Sequence, residues 1–437
     1  MNDDLADCVL RALPDFDSLS SVILVSRQIY DVFNRHPVSI VRSVAYNKIG
    51  PSLPQALRLA RHKKDQYDPV NWPPEAEVMN VPITVQERHI IARNAHIVSQ
   101  LEDLFSWSHK NQFSTTSVLS NEESKRFHRA MYRFWLFADA FRPEYDDWDG
   151  ETETFDGPKN SFFQQLPDKT ELYEFVRIVQ FLTETVRWVG AATGEVFNEL
   201  AGNAMHMADE MGFALSGGPR VILQMFKDKS GAPLLAITDP WETDSLPADF
   251  TFIKTSLSDV FQARNLKRPD WNSHEMKKTI LDEYEQYTRP CHLCAKTGDR
   301  LWSASNWPFL KGYAPPLTFA RSMKGNLTLN RHETNGLQQY LQRPTLCYAS
   351  FMDWMFDNKD TSGQYRDLTR DDWICQECLQ TFVNSKLHLW WLERQRAEGM
   401  PVRTEDCWYG YNCRTQRYYT HAMKLNHLCA PTRGDPA

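Results

Sequence analysis

The sequence predicts a mainly α protein with short helices at its start, a long helical body, and an α+β C-terminal region stapled by zinc. Two observations carry this. Apolar residues recur at helical spacing through much of the first 285 positions. Cysteine and histidine then gather late in the chain, as two Cys-x-x-Cys hooks and one compact Cys/His group. With 42% hydrophobic and 24% charged residues the chain has the make-up of a folded protein, because disordered chains lack the side chains that build a core. At 437 residues it exceeds one ordinary domain. The expected division is a short helical module over 1–65, a mainly helical body over 66–285, a zinc-stapled region with four cysteine ligands over 286–395, and a small zinc finger with two cysteine and two histidine ligands over 396–437.

From Val9 to Phe33 the residues Val9, Leu13, Leu19, Val22, Ile23, Val25, Ile29, Val32 and Phe33 follow helical spacing, broken by Pro14, which reads as two short helices. Asp17 or Ser18 suits the start of the second, and His36-Pro37 its end. A third is expected over Ile40 to Asn47, stopped by Gly50-Pro51, and a fourth from Pro54 to Arg61. Tyr67 to Pro82 holds four prolines and reads as a linker or crossing loop. The helical pattern returns near Thr84. Glu122 to Phe141 carries a stripe of Phe127, Met131, Phe134, Trp135, Ala138 and Phe141, which is the pattern of a core face. The carboxylate-rich segment Glu144 to Asp156 reads as an exposed loop, because like charges repel. Tyr173 to Leu200 reads as one or two helices and Ser216-Gly217-Gly218-Pro219 as a turn. A short strand over Leu234 to Thr238 and a helix from His274 to Tyr287 complete the body.

The net charge of −7 sets up no overall attraction to nucleic acid or anionic lipid, and the basic run Arg61-His62-Lys63-Lys64 reads as a solvated helix end. No run reaches the roughly 18 apolar residues of a membrane span, and the acidic start does not resemble a secretion signal. The expectation is an intracellular protein, cytoplasmic or nuclear, whose nine cysteines are reduced. Asn326-Leu327-Thr328 matches a glycosylation acceptor that such a location leaves unused.

Cys291-His292-Leu293-Cys294 and Cys375-Gln376-Glu377-Cys378 are two hooks. Together they supply four thiolates, a set that closes a tetrahedral structural zinc site and leaves no open position. About 80 residues separate them. Closing a flexible loop of that length costs roughly 4 kcal/mol plus a constant, against about 10 to 16 kcal/mol from a structural zinc, so the metal outweighs the loop. The aromatic-rich insert is expected to pack on the site. Thiol redox chemistry, two separate half-sites and unrelated buried cysteines stand as alternatives. His292 is expected to point away, and Cys8 and Cys347 to be small buried apolar side chains.

The second set is Cys407, Cys413, His421 and His427, with spacers of five, seven and five residues. Thiolates and neutral imidazoles in this arrangement suit a closed zinc site. Gly410 permits the turn between the thiols, and Cys429 is an alternative to His427. Two structural zinc ions are therefore expected. Cys407-Trp408-Tyr409-Gly410-Tyr411-Asn412-Cys413 followed by the paired histidines resembles the poly(ADP-ribose)-binding zinc finger. The likeness spans about twenty residues and implies the metal scaffold. Arg414 and Thr415 stand where that family has the tyrosine and arginine that grip the polymer, so neither ADP-ribose polymer nor nucleic acid is the leading partner. Arg414, Arg417, Tyr418 and Tyr419 form a candidate contact surface.

At the other end, Leu13-Pro14-Asp15-Phe16-Asp17-Ser18-Leu19, the run from Val22 to Arg27, His36-Pro37, Arg42 to Tyr46 and Pro54 to Leu59 resemble fungal F-box-like proteins, as does Arg126 to Arg133 in the body. The resemblance implies F-box-like short helices that dock on the adaptor of a cullin ubiquitin ligase, and a remainder that selects a protein substrate, here unknown. The Leu-Pro-x-Glu opening of the usual motif is absent, so the chain's start reads as degenerate or truncated. Leu13, Leu19, Val22, Val25, Ile29 and Phe33 are the candidate docking ridge, with packing on their own chain as the alternative. No nucleophile elbow, phosphate loop, dinucleotide fingerprint or zinc-protease motif is present. The expectation is a non-catalytic substrate receptor held together by structural zinc. The alternative is a zinc-finger binding protein, for ADP-ribose polymer, nucleic acid or protein, without ligase contact.

Overall fold

In a computed structural model, the residues described are 2–62, 73–114, 116–142, 156–166, 168–193, 210–230, 232–235, 252–267, 270, 273–282, 289–298 and 300–433. The fold is mainly helical, and among the described residues two small antiparallel sheets occur, both in the C-terminal region.

The amino-terminal segment forms Asp3–Arg11, Phe16–Ile23, Arg27–Arg35, Pro37–Ile49 and Leu53–Arg61. Each break has a local cause. The Asp15 side chain accepts from Ser18 N at 2.8 Å and starts the second helix, two residues before the expected cap. The Ser26 hydroxyl accepts from Ile29 N and divides the remaining stretch, giving three helices where spacing alone indicated two. Pro37 opens a helix as its first residue, because its missing N–H has no partner to lose there. Gly50 at φ +77° then ends it.

The body is built on Val85–Phe105, Asn121–Ala140 and Lys169–Thr193. The first two begin with reciprocal capping boxes, Thr84 with Glu87 and Ser120 with Glu123. Phe127, Met131, Phe134, Trp135 and Ala138 are buried as the stripe requires, and Tyr132, Leu136 and Phe137 are buried too, so this helix is enclosed on several faces. Its polar residues are paired across the core. Arg129 reaches the fully buried Glu174 at 2.7 Å, and Arg133 reaches Glu75 at 2.7 Å and Glu171 at 3.0 Å. Apolar residues from Ala6 to Leu281 form one continuous cluster, which joins the short amino-terminal helices to the body.

A second cluster runs from Cys291 to Leu428. Its strands are Arg289–Pro290 with Thr297–Gly298, and Leu301–Trp302 with Ile374–Cys375 in the register Leu301 to Cys375. The longest helix of this region, Gln376–Ala397, starts at the second hook. The two clusters meet at Trp188, whose Nε1 donates to Phe309 O at 3.0 Å, and at Trp107, which stacks on Phe309 with ring centres 3.8 Å apart. Gly312 lies flat on the Trp188 ring, where a β-carbon would come within 2.4 Å of it.

Some expectations fall outside the described residues: the acidic segment over 143–155, the basic run at 63–64, the linker over 67–72, residues 194–200, the strand over 236–238 and the end of the 274–287 helix. Ala232–Leu235 is a helical turn, not the start of a strand, and His274–Lys277 is one turn of helix.

Candidate metal centres

The first centre is assembled by chain reversal at each hook. Arg289–Pro290 and Thr297–Gly298 pair across a tight knuckle in which Ala295 N donates to Cys291 O at 2.8 Å and Ala295 takes φ +55°. That reversal turns Cys291 and Cys294 inward. The pairing of Leu301–Trp302 with Ile374–Cys375 delivers the second hook, and Cys375 N donates to Cys291 Sγ at 3.2 Å. The sulfurs of Cys291, Cys294, Cys375 and Cys378 all lie within 4.8 Å of one another. Cys294 and Cys375 have their sulfurs 3.8 Å apart. A disulfide would need about 2.05 Å, whereas two thiolates on one tetrahedral zinc, each about 2.3 Å from it, are separated by about 3.8 Å. The spacing fits the ion.

His292 is turned outward, with Nδ1 3.2 Å from Asp372 Oδ1 and its backbone N–H on Trp373 O. The 80-residue insert packs as expected: Trp302, Trp307, Phe319 and Phe351 are buried in the cluster that backs the site. Burial opposes ionisation of Cys291, but N–H groups of Cys375, Cys294 and Leu293 outweigh it and draw the thiol down to about 7. Burial, and then the neighbouring thiols, push Cys375 and Cys378 up.

The second centre is a small finger closed by its own backbone. Asp406 and Asn426 bridge, Cys407 N donates to Asn426 O at 2.9 Å, and Gly410 N donates to Cys407 O at 2.8 Å. Gly410 is required twice. Its φ is +44°, and a β-carbon there would sit 2.3 Å from Cys429 O. The buried Gln416 holds the return by donating to Cys413 O at 2.8 Å. His421 Nε2 lies 3.3 Å from Cys413 Sγ and 3.9 Å from Cys407 Sγ, on either side of the roughly 3.6 Å that a tetrahedral zinc sets between sulfur and nitrogen ligands. His427 is 1% exposed, yet neither ring nitrogen makes a hydrogen bond of normal geometry among the described residues. Buried nitrogens without partners are costly, and a metal ion among these four side chains satisfies one of them. Burial, and then the proximity of His421, hold His427 down to about 4, in the neutral form that ligates. Cys429 stands outside the set, its Sγ facing Cys407 O and Asn426 O at 3.6 and 3.5 Å. Each group of four donors is thus arranged for one ion, and the expectation of two zinc sites is met.

The finger is docked on the rest of the region. Asn326 Nδ2 donates to Asn412 O at 2.7 Å, and His388 meets the Tyr411 ring edge at 5.4 Å. On its outer side Trp408, Tyr409, Tyr418 and Tyr419 are exposed, with the Arg433 guanidinium 3.8 Å from the Trp408 ring and Arg417 4.7 Å from that of Tyr418. The sequence singles out Arg417, Tyr418 and Tyr419 as contacts but not Trp408, Tyr409 and Arg433. The signal available was the run of aromatic residues that a finger of this size has no core to absorb.

Other expectations need correction. Leu19 is 2% exposed and belongs to the core, so it is no part of an accessible ridge. Leu13, Val22, Ile29 and Phe33 are half-buried against that core, while Val25 is 73% exposed beside Leu24 at 80%. Cys8 and Cys347 are exposed and not buried. Among the described residues no helix is long and apolar enough to cross a membrane.

No protein-family model matches the chain, and no solved structure matches it. Among curated proteins it resembles the E3 ubiquitin-protein ligase CHFR of Pongo abelii, Homo sapiens and Mus musculus, each 31% identical over 121 residues. The match covers 26% of this chain, but only 21% of the Pongo abelii protein and 18% of the human and mouse ones. These relatives are ligases by name, and ligases are enzymes. That overturns the expectation of a non-catalytic chain, which rested on the absence of familiar catalytic motifs.

Proposed function

We propose that this chain acts within a ubiquitin ligase. Its zinc-stapled C-terminal region presents the surface that recognises a protein substrate, and its amino-terminal helices contact a cullin-ligase adaptor. The observation that carries the reading is the 31% identity with ligases over 121 residues, in a chain whose two four-donor groups have the closed geometry of structural zinc. The exposed pair Leu24 and Val25, at the turn between two short helices, is the accessible apolar surface on which an adaptor contact would rest. We place the working boundary between the helical part and the zinc-stapled part near residue 286.

A second reading is favoured by the outer side of the finger. Exposed Trp and Tyr rings with guanidinium groups close beside them, Arg433 at Trp408 and Arg417 on the Tyr418 hydroxyl, offer flat, cationic surfaces for the bases and phosphates of an ADP-ribose polymer or a nucleic acid. One experiment separates the two. The zinc-loaded full chain is captured with the adaptor and assayed for ubiquitin transfer, beside a Leu24→Asp and Val25→Asp double variant. The ligase reading expects capture and transfer by the parent and at least a tenfold loss in the variant (about 1.4 kcal/mol or more). Absence of both from the parent, with retention of ADP-ribose polymer on the chain, would replace it with the second reading.

A further inference from the structure

A half-open cleft of about 330 Å³ lies between helix Arg331–Gln342, helix Tyr348–Asp357 and the last turns of helix Gln376–Ala397. It shares no residue with either metal centre, and its size is that of a small-molecule site. Its walls combine the flat side chains of Tyr340, Trp354 and Trp390 with the guanidinium groups of Arg343 and Arg394.

The charges are unevenly committed. Arg343 lies 4.5 Å above the Tyr340 ring and gives one Nη to Glu398 at 2.6 Å. Arg394 gives one Nη to Glu393 at 2.6 Å, and its Nε is buried with no partner among the described residues. A guanidinium has five N–H donors, so each arginine has donors left for a further acceptor. Glu398 is the carboxylate in the lining, and Glu393 at its edge accepts from both Arg394 and Trp354 Nε1, the latter at 3.0 Å, so what the cleft offers an acceptor is the remaining N–H donors of the two guanidinium groups. The ten-residue helix Tyr348–Asp357 also opens here, with Cys347 and Ser350 of its first turn on the wall, and adds the partial positive charge of a helix start.

We propose that this cleft binds a small organic anion with a flat aromatic body, its carboxylate or phosphate group held by Arg343 and Arg394 and its ring laid against Trp354. Planar guanidinium forks match both anions two-pronged, and an indole face takes up a ring at little entropic cost. The site is independent of the ligase reading.

Cys347 supplies the test, because it is an exposed thiol in the same cleft. The N–H and hydroxyl of Ser350 draw its thiol below the usual range, which favours alkylation at neutral pH. The zinc-loaded full chain is treated with iodoacetamide, and alkylation of Cys347 is followed by peptide mass. Cys8, exposed on helix Asp3–Arg11, is the internal reference. Indole-3-acetate and phenyl phosphate are the probes, and they separate carboxylate from phosphate as the preferred anion. Neutral indole is the control. At least one anionic probe is expected to slow Cys347 saturably, by about tenfold, and to leave Cys8 unchanged. Arg343→Met with Arg394→Met should weaken that protection by about tenfold or more, with Arg394→Lys intermediate. No protection by either anion, equal protection by indole, or undiminished protection in a double variant that keeps its zinc would each overturn the proposal. Should the double variant lose zinc, the comparison of charged and neutral probes on the parent chain decides by itself.

Discussion

Single residues carry the finger's geometry more tightly than its ligands alone do. Gly410 combines a left-handed backbone with a close approach to Cys429 O, so a side chain there meets two penalties at once. Left-handed geometry costs a non-glycine residue about 1 to 2 kcal/mol, before any adjustment for the contact. Gly410→Ala is therefore expected to weaken zinc at the finger by about 30-fold or more, equivalent to about 2 kcal/mol. Competition with a chelating dye would read this as one weakened site and one unchanged site. Sequence made much of this residue scale readable. Spacing alone grouped Cys407, Cys413, His421 and His427, because a compact finger places ligands by local turns, and it grouped the two hooks because each is a local knuckle. It misjudged Cys8, Cys347 and Leu19, because exposure of a small or apolar side chain depends on which neighbouring helix covers it, and that is a tertiary fact.

At the scale of elements, helix starts were partly legible. The Thr84 and Ser120 capping boxes lie where the helical pattern resumes, whereas Asp15 displaced Asp17 as a cap, and Pro37, which follows the end of one helix as expected, also opens the next, three residues before its expected start at Ile40. Proline is compatible with either role, and only the packing of the next helix chooses. One contact between elements has a pH signature. Lys311 is 1% exposed and donates to Gln342 O at 3.1 Å and Arg343 O at 2.6 Å, capping helix Arg331–Gln342. Burial, and then Lys229, lower its pKa to about 8 from 10.5. Between those two values the unfolded chain binds the extra proton, so Lys311 makes stability rise with pH across that window and contributes no slope below about 8. The full rise is about 3 kcal/mol. Lys311→Met should flatten this part of the profile, measured as the difference in unfolding free energy between parent and variant from pH 8 to pH 10. Equal slopes in the two chains would remove Lys311 as the cause.

For the whole molecule, the fold class was legible because a helical stripe and a metal-ligand cluster are both local patterns. The junction between the two hydrophobic clusters was not. Trp188, Phe309 and Gly312 meet across more than a hundred residues of sequence, and nothing in their local spacing announces it. The same holds for the pairing of Leu301–Trp302 with Ile374–Cys375, which makes the 80-residue insert a folded part of the site and not a loop closed at entropic cost. The central physical claim is that two ions hold the C-terminal region, one joining its two cysteine hooks and one closing its finger. Elemental analysis of the purified full chain by mass spectrometry, for the parent beside Cys294→Ser and Cys413→Ser, tests it most directly. The account predicts two zinc per chain in the parent and one in each variant. A folded parent with no zinc, or variants that retain both ions, would contradict it.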